Sequence, residues 1–414
     1  MATPSLAMIP SGYKASKVYS VLPESGVGDF EFTRATTATR VNSSGLIEEM
    51  AINVPRLEYP LIDGVVNGCP SLLLEPQSTN LITHSSELTN SSWVKTNSGT
   101  GSAPSITSNY SISPDGTQNA DRVIFNLNGG TANGDISQVS VTIGSVSSAS
   151  YTNSVYIKSN TANNYDLVVT DPSGGHIVKN ISTEWQRFDN PRENVTNASF
   201  RIRLRGDEGT SDYADVSIWG AQLEQQSFVT SLINTSGSTV TRQADTASGA
   251  GNSEVFNDSE GVLFADIAAN SKGGGYKLIS LTDSTSGNSF ISIGMMNNTT
   301  QSYKQIRFSG VNLFSYYTDP INQTDFNKIA IKYKSGNSSF YVNGFEIDSS
   351  SVTYTPNAAM SELKFSYFQD GDDFYGKTKE IGYYDTALTD EELEYITSYR
   401  SLNELVTELN LNTL

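Results

Sequence analysis

The sequence predicts an all-β protein: two tandem antiparallel β-sandwiches after an irregular β-rich N-terminal region, with one C-terminal helix. Charged residues make up only 17% of the chain, and 33 glycines punctuate it. This composition favours strands joined by tight turns. Short runs of alternating apolar and polar residues also recur between turn residues, as half-buried strands require.

Length and charge narrow the possible functions. A chain of 414 residues is too long for one ordinary core, so two or three domains are expected. The net charge of −18 argues against nucleic acid as a partner, because phosphate contacts need a basic surface. No window approaches the roughly 20 apolar residues of a membrane span, so we predict no membrane insertion.

The first region, residues 1–80, is divided by prolines into short extended runs. Asn42-Ser43-Ser44-Gly45 follows the run Ala38–Val41 and indicates a hairpin. So segmented a chain cannot bury enough apolar surface alone to offset its loss of entropy. We therefore expect residues 1–80 to be completed by a larger body or by a partner chain, and to make the contacts of a homotrimer.

Residues 81–235 predict a jelly roll, because many short strands alternate with frequent turns. Ser150–Lys158 and Tyr165–Thr170 both alternate well. In Phe200–Arg205 the alternation is strict, so its apolar residues share one face. The opposite face carries three arginines, Arg201, Arg203 and Arg205. We expect this block to fold independently.

Residues 236–254 are rich in Ser, Gly and Thr, which predicts a flexible linker. Residues 255–388 then form a second sandwich, which we also expect to fold independently. Lys328–Lys334 and Ser339–Val342 make a hairpin, and Asn343-Gly344 offers the next tight turn. Consecutive hairpins indicate an antiparallel sandwich rather than a parallel α/β sheet.

Residues 389–414 predict the C-terminal helix. Thr389 and Glu392 have capping-box spacing, and the first turn is acidic, as the helix dipole favours. A heptad seam then runs through Tyr395, Tyr399, Leu402, Val406 and Leu409. Leu393 and Ile396 lie off this seam, so packing on the sandwich explains the first turns equally well.

Several phrases resemble the modular head-spike and tail-fibre proteins of bacteriophage virions. The N-terminal phrases look like the attachment region of these proteins: residues 10–14, 32–36, 53–57 and 74–81, with 240–245 echoing 32–36. The middle phrases are similar to carbohydrate-binding jelly rolls of these fibres: residues 92–93, 114–117, 183–188 and 220–224. The last phrases look like a laminin-G or concanavalin-A-like sandwich: residues 341–344 and 384–393.

The resemblance implies a structural protein on the virion surface, made in the host cytoplasm, since no secretory signal is visible. It implies that residues 1–80 contact other capsid or tail proteins, and it implies host-surface glycans as the target of the sandwiches. Head or tail location stays open. Two alternatives also stay open: a capsid decoration protein without a receptor role, and a glycan-degrading fibre enzyme.

The residues suited to catalysis are few, and we predict no enzyme. Only two histidines occur, His84 beside the start of the first sandwich and His176 in a glycine turn. The single cysteine, Cys69, is interpreted as a small buried apolar residue. A carboxylate pair for glycoside hydrolysis remains possible by number, with 44 acidic residues in the chain.

Sugar binding needs exposed aromatic rings beside polar groups. The candidates are Tyr316, Tyr317 and Phe374, in or near turns of the second sandwich. The tryptophans are assigned to cores, with Trp185 and Trp219 among strand residues. The arginine face of Arg201, Arg203 and Arg205 is suited to acidic glycans or to a neighbouring subunit, and a solvated strand face is the simpler interpretation.

A structural calcium ion is the one cofactor weighed. Asp370, Asp372 and Asp373 place three carboxylates around Gly371, and hard cations prefer oxygen ligands at short spacing. A solvated acidic turn is the favoured interpretation, because the rest of the EF-hand pattern is missing. The resemblance adds Asp215 on the closing strand of the jelly roll, where similar modules carry a calcium ligand.

Overall fold

A computed structural model describes residues 2–62, 64–283, 289–297, 300–308, 310–314, 321–356 and 359–399. These residues form 31 strands and one α-helix. The strands pair antiparallel in two tandem sandwiches, so the predicted all-β class with a C-terminal helix is confirmed. In the part of the chain described, no helix is long and apolar enough to traverse a bilayer.

The N-terminal region contributes eleven short strands. They are β1 (Leu6–Met8), β2 (Tyr13–Lys14), β3 (Lys17–Val18), β4 (Phe30–Thr33), β5 (Ala38–Val41), β6 (Ile47–Met50), β7 (Arg56–Glu58), β8 (Leu61–Ile62), β9 (Val65–Val66), β10 (Ser71–Leu74) and β11 (Ser78–Asn80). Strands β5 and β6 form the predicted hairpin across residues 42–45. A second, smaller hairpin joins β8 to β9.

The jelly roll contains eight strands. They are β12 (Val94–Ser98), β13 (Ser102–Ile112), β14 (Gln118–Asn126), β15 (Ile136–Ser159), β16 (Tyr165–Val169), β17 (Val178–Ile181), β18 (Gln186–Arg205) and β19 (Tyr213–Glu224). The long strands β15 and β18 pair along most of their length, with register shifts between Thr142 and Tyr151. These irregularities bend both strands, so each contributes to both layers around one apolar core.

The predicted alternation of Phe200–Arg205 is confirmed. Phe200, Ile202 and Leu204 are buried in the core, and the arginines lie on the outer face. Trp93 and Trp219 are also buried, as predicted, although Trp219 packs outside the main core against the N-terminal hairpin residue Ile47.

The second sandwich begins after two connecting strands, β20 (Val240–Arg242) and β21 (Thr246–Ser248). Its strands are β22 (Glu260–Ala269), β23 (Lys277–Thr282), β24 (Phe290–Met295), β25 (Ser302–Phe308), β26 (Val311–Asn312), β27 (Asn327–Lys334), β28 (Ser338–Val342), β29 (Phe345–Ser350), β30 (Glu362–Lys364) and β31 (Gly376–Tyr384). Asn343 and Gly344 both have positive φ, so the predicted tight turn between β28 and β29 is confirmed.

Three N-terminal strands complete the second sandwich. Its larger sheet has the order β29-β28-β27-β22-β31-β10-β7, and β1 also pairs with β31. The opposite sheet has the order β26-β25-β24-β23-β30. Residues 1–80 therefore pair within this chain rather than with a separate body. The segment 255–388 does not contain all strands of the second sandwich, so we no longer expect it to fold independently.

The predicted flexible linker, residues 236–254, was wrong. Strand β20 pairs with β11, and β21 pairs with β4. Ala250 then exchanges two backbone hydrogen bonds with Leu363 of the second sandwich. Composition alone missed this, because Ser and Thr supply strand partners as readily as they supply solvated loops.

A buried ionic network joins the N-terminal region to residues 242–245 of the connecting segment, and it reaches the jelly roll through Ser231. We call this network the joint. Asp245 accepts hydrogen bonds from Arg34 (3.1 Å), from Arg56 and from the backbone N–H of Glu75 (2.8 Å). Glu75 in turn pairs with Arg56 at 2.6 Å and with Arg242 at 2.8 Å. The residues of the joint come from the phrases that carry the virion-protein resemblance.

Charge pairing outweighs the cost of burial at Glu75 and Arg56, whereas burial prevails at Arg34 and Arg242 and lowers their pKa values. Burial alone would raise the pKa of the Glu75 carboxyl, but the charges of Arg242 and Arg56 hold that pKa well below its usual range. Burial would likewise lower the pKa of Arg56, but Asp245 and Glu75 raise it above its ordinary value. Removing one partner would leave an uncompensated buried charge, which is strongly destabilising.

The helix α1 runs from Asp390 to Thr397, and the predicted capping box at Thr389 is confirmed. Leu393 and Ile396 are buried against the larger sheet, whereas Tyr395 is 51% exposed. Packing on the sandwich therefore explains these turns, rather than a heptad seam. Tyr399 of the predicted seam follows the end of the helix, and its hydroxyl donates to the carbonyl oxygen of Phe326 at 3.5 Å. Leu402, Val406 and Leu409 lie outside the described residues, as does most of the predicted helix 389–414.

Candidate functional site

Three tyrosines from separate segments of the second sandwich line one cavity of about 210 Å³, with Asp372 beside them. Tyr276 precedes β23, Tyr303 lies on β25, and Tyr367 follows β30. The rings of Tyr276 and Tyr303 meet edge to face, with their centroids 5.4 Å apart. Such pairs gain stability beyond their buried area, so the two rings hold each other in place.

A glycine in β24 brings these segments together. Gly294 pairs with Leu278 on one side and with Tyr303 on the other. A Cβ atom at Gly294 would lie 2.0 Å from the carbonyl oxygen of Lys277, so no side chain fits there. The absence of a side chain lets β23 approach closely.

Gln305 holds the hydroxyl groups of two of these tyrosines in place. Its Oε1 accepts a hydrogen bond from the Tyr367 hydroxyl at 3.2 Å and another from the Tyr303 hydroxyl. The Tyr367 ring also packs against Phe290, with centroids 5.5 Å apart. Tyr303 is almost fully buried, and Tyr276 and Tyr367 are half-buried. These last two rings therefore present the accessible aromatic surface.

The acidic loop 370–373 forms the rim of this cavity. Leu278 donates its backbone N–H to the carbonyl oxygen of Asp372 at 3.1 Å, which fastens the loop to β23. Asp370 and Asp372 both have positive φ, a conformation that Asp tolerates better than most residues. The Asp372 side chain is exposed beside the tyrosines.

A second cavity of about 310 Å³ shares Tyr276 and Asp372 with the first. It is also lined by Lys277, Asp373 and Tyr375, and the jelly roll closes it through Gln226, Ser227 and Phe228. The Tyr375 hydroxyl donates to Asp373 Oδ2 at 2.9 Å. We call the two cavities together the tyrosine groove.

Several ionisable groups of the groove have shifted pKa values, and burial raises the pKa of the Tyr375 hydroxyl. Burial lowers the pKa of Lys277 to about 8. Its Nζ donates to the carbonyl oxygens of Gly273 and, at 3.5 Å, Gly275. Burial also raises the pKa of Asp373, although the Tyr375 hydrogen bond opposes that effect. The groove thus combines aromatic faces with carboxylate acceptors and one buried amine.

The sequence located this loop but chose the wrong aromatic residue. Phe374 is completely buried against Phe365, so it cannot offer a surface to a sugar. Tyr316 and Tyr317 lie outside the described residues. Sequence reasoning missed Tyr276, although its position after the run Gly273–Gly275 is a signal of an aromatic side chain at a loop-to-strand junction.

The carboxylates considered for calcium do not converge. Asp370 pairs with Lys364 at 2.7 Å, and Asp373 accepts from Tyr375. Asp215 lies in the other sandwich, where Arg122 Nε donates to it at 2.8 Å and Asn160 donates at 2.9 Å. Among the residues described, no three His, Cys, Asp or Glu side chains are grouped to hold a metal ion.

The three predicted arginines do share one face of the jelly roll, but they do not form a solvated strand face. Arg203 is only 5% exposed, and Arg201 and Arg205 are half-buried. His176, from the glycine turn, contacts both Arg203 and Arg205. Cys69 is exposed rather than buried, since it follows the protruding hairpin β8–β9.

Comparisons with known proteins found no matching family model and no matching curated protein. Solved structures do match parts of the chain. The CBM40 of the Ruminococcus gnavus IT-sialidase has a TM-score of 0.31 and 16% identity, covering 36% of this chain and 88% of its own. Domain 4 of AbnA, a GH43 extracellular arabinanase from Geobacillus stearothermophilus, has a TM-score of 0.30 and 17% identity, covering 37% and 73%.

A third match covers more of the chain. The N-terminal CBM22-1-CBM22-2 tandem domain from Paenibacillus barcinonensis Xyn10C covers 76% of this chain and 100% of its own, with 10% identity and a TM-score of 0.26. At such TM-scores these likenesses are resemblances only.

Proposed function

We propose that this protein is a structural, non-catalytic virion component that binds a neutral host-surface glycan in the tyrosine groove. The observation that supports glycan binding is that Tyr276, Tyr303 and Tyr367 line one cavity with Asp372 at its rim. Ligand sites typically combine an aromatic lining with a few placed polar groups. A sugar ring has an apolar C–H face and a rim of hydroxyls, which match these two elements.

The charges in the groove favour a neutral sugar. Ionised carboxylates only accept hydrogen bonds, and sugar hydroxyls donate them. Asp372 is exposed and Asp373 is half-buried, so both are placed to accept from a bound ligand. An acidic sugar in the groove would be repelled by these two carboxylates.

The size of the groove favours an oligosaccharide over a single sugar. The larger cavity, about 310 Å³, already falls within the range of small-molecule sites, and the tyrosine cavity extends it. Because Tyr276 borders both cavities, one ring can contact two successive sugar units. Removing the Tyr276 ring should therefore weaken ligand binding more than removing any other single side chain that lines the groove.

Binding to a panel of neutral and acidic oligosaccharides tests the site. At the tyrosine groove we expect neutral ligands only, and their binding should weaken at least about fivefold in Tyr276→Ala, since aromatic contacts of this kind are worth about 1 kcal/mol or more. Tyr110→Ala is the matched control, because Tyr110 is an exposed tyrosine of the jelly roll. Loss of binding in Tyr110→Ala alone would move the site to the jelly roll and overturn the proposal.

The virion role is supported by the resemblance stated above and by an exposed apolar hairpin. In β8–β9, Leu61, Ile62 and Val65 are 42%, 50% and 68% exposed. Strands β1, β7 and β10 are occupied within the chain, so we propose that this hairpin contacts the capsid or tail protein or the other subunits of a homotrimer. Exposed apolar residues grouped in this way are typical of interaction sites.

Purified protein mixed with spike-free particles tests this role. We expect wild-type protein to sediment with the particles and the double variant Ile62→Ser, Val65→Ser to stay in solution. Particle binding without any cell binding would favour the decoration protein. Release of sugar from a host polysaccharide, abolished by Asp372→Asn, would favour the glycan-degrading enzyme.

A further inference from the structure

A second candidate site lies on the outer face of the jelly roll, far along the chain from the tyrosine groove. Strand β18 places Arg201, Arg203 and Arg205 on this face, and we call it the arginine face. Each arginine lies opposite a residue of β15: Ser140, Gln138 and Ile136, respectively. Three guanidinium groups at the end of one strand concentrate positive charge in a chain of net charge −18.

His176 organises the central part of this face. Its Nδ1 bonds to Glu208 Oε1, and its Nε2 lies within hydrogen-bond reach of Arg203 and, at 3.1 Å, of Arg205 Nη1. This arrangement suits the tautomer with its proton on Nδ1, because Nε2 then accepts from the guanidinium groups. The imidazole therefore holds two arginines side by side.

Acidic neighbours neutralise only one of the three arginines. Arg205 pairs with Asp207 at 3.0 Å and with Glu208 at 3.6 Å. Arg203 donates instead to the neutral Gln138 Oε1 at 3.2 Å, and none of the described carboxylates pairs with it. Its buried Nε also has no hydrogen-bond partner among the described residues. A buried, unpaired cation is costly, which makes an anionic ligand favourable here.

Arg201 supplies the accessible part of the face. Its guanidinium makes no hydrogen bond or ion pair with any described side chain, and the residue is half-exposed. The turn at Gly174 passes close to it: a Cβ atom there would lie 3.3 Å from Arg201 Nη1. Glycine at this turn therefore leaves the guanidinium open to a ligand.

We propose that the arginine face binds the carboxylates of an acidic polysaccharide, with Arg201 making the direct contact and Arg203 supplying charge behind it. Guanidinium groups bind carboxylates through two parallel hydrogen bonds. The polar surroundings, including Gln138 and Thr96, suit hydroxyl-rich chains. A protein partner would need apolar anchors, and the described part of this face offers Val94 and Val178 at its margins and half-buried Ile136 opposite Arg205.

Immobilised polygalacturonate and its fully methyl-esterified form provide the test, measured by biolayer interferometry with the full chain. We expect binding to the acid that weakens as salt rises, and none to the ester. Arg201→Gln should weaken binding at least about tenfold, the factor expected for one charge-assisted hydrogen bond. Arg201→Lys should retain part of it, because the charge remains. Lys17→Gln, on an exposed ion pair elsewhere, is the matched control.

Equal binding to acid and ester, or unchanged binding in Arg201→Gln, would overturn the proposal. A change in self-association in Arg201→Gln without a change in polysaccharide binding would also overturn it and assign the face to a second copy of the chain. Tyr276→Ala should leave polygalacturonate binding unchanged. The arginine face and the tyrosine groove can therefore fail independently.

Discussion

Deleting residues 1–80 is expected to unfold the second sandwich while the jelly roll stays folded. Eight apolar side chains of the deleted region are buried in the core of the second sandwich: Leu6, Met8, Val18, Phe30, Phe32, Leu57, Leu72 and Leu74. By contrast, the buried core of the jelly roll is drawn entirely from residues 82–223. The deletion thus removes part of one core and leaves the other complete.

The stabilisation lost with these eight side chains is large enough to unfold the second sandwich. Fully burying one such side chain stabilises a protein by about 1.5–3 kcal/mol, so eight supply roughly 12–24 kcal/mol. This is an upper bound, since unfolded chains already bury some apolar surface. Whole domains are stable by only about 5–15 kcal/mol, so the second sandwich should not survive. The deletion would also leave Arg242 and Asp245 of the joint without Glu75 and Arg56.

Hydrogen exchange measured by mass spectrometry distinguishes the two halves. In the chain 81–414, peptides from β14–β19 should be as protected as in the full chain, and peptides from β22–β31 should exchange rapidly. The chain 81–235 is the control and should be protected alone. Full protection of β22–β31 in the chain 81–414 would refute the reasoning, because it would mean that the second sandwich does not need the N-terminal strands.

Three further predictions concern the joint, the groove and the exposed hairpin. Asp245→Asn should lower the free energy of unfolding, measured in urea, by about 3–5 kcal/mol. Glu31→Gln, at an exposed pair with Lys17, is the control and should change it by less than about 1 kcal/mol. Similar values for both variants would contradict a stabilising joint. Burial lowers the pKa of Lys277 to about 8, against 10.5 for the free side chain, so between these pH values the unfolded chain binds the proton more readily. Wild-type stability should therefore rise with pH relative to Lys277→Met, and parallel stability curves would show that folding does not lower the Lys277 pKa. Sedimentation velocity should show homotrimers for the wild type and smaller species for the double variant Ile62→Ser, Val65→Ser; an unchanged distribution would place the subunit contacts elsewhere.

Local sequence patterns determined the strands, the turns and the helix start. The alternation in Phe200–Arg205 predicted which side chains face the core, because successive strand residues point to opposite sides. Asn343-Gly344 predicted a tight turn from its tolerance of positive φ, and Thr389 predicted the helix cap from its spacing to Glu392. Each of these features depends on residues within a few positions of one another.

Only the tertiary structure decided that the N-terminal region shares its core with the second sandwich. Residues 1–80 were recognised as incomplete, but no local pattern could show that β31 would pair with both β1 and β10. The stretch 236–254 has the composition of a linker, yet Arg242 and Asp245 are buried in the joint by partners more than 150 positions away. Such pairing depends on complementary groups that meet only after folding.

The candidate sites, too, were predicted partly from local sequence and partly decided by the tertiary structure. The sequence by itself placed the three arginines on one face, since a strand repeats every two residues, and it marked the acidic loop 370–373. It could not distinguish buried Phe374 from exposed Asp372, because positive φ at Asp370 and Asp372 sets where each side chain points. The tyrosine groove was decided by the tertiary structure alone, because Tyr276, Tyr303 and Tyr367 meet only when three separate segments of one sheet pack side by side.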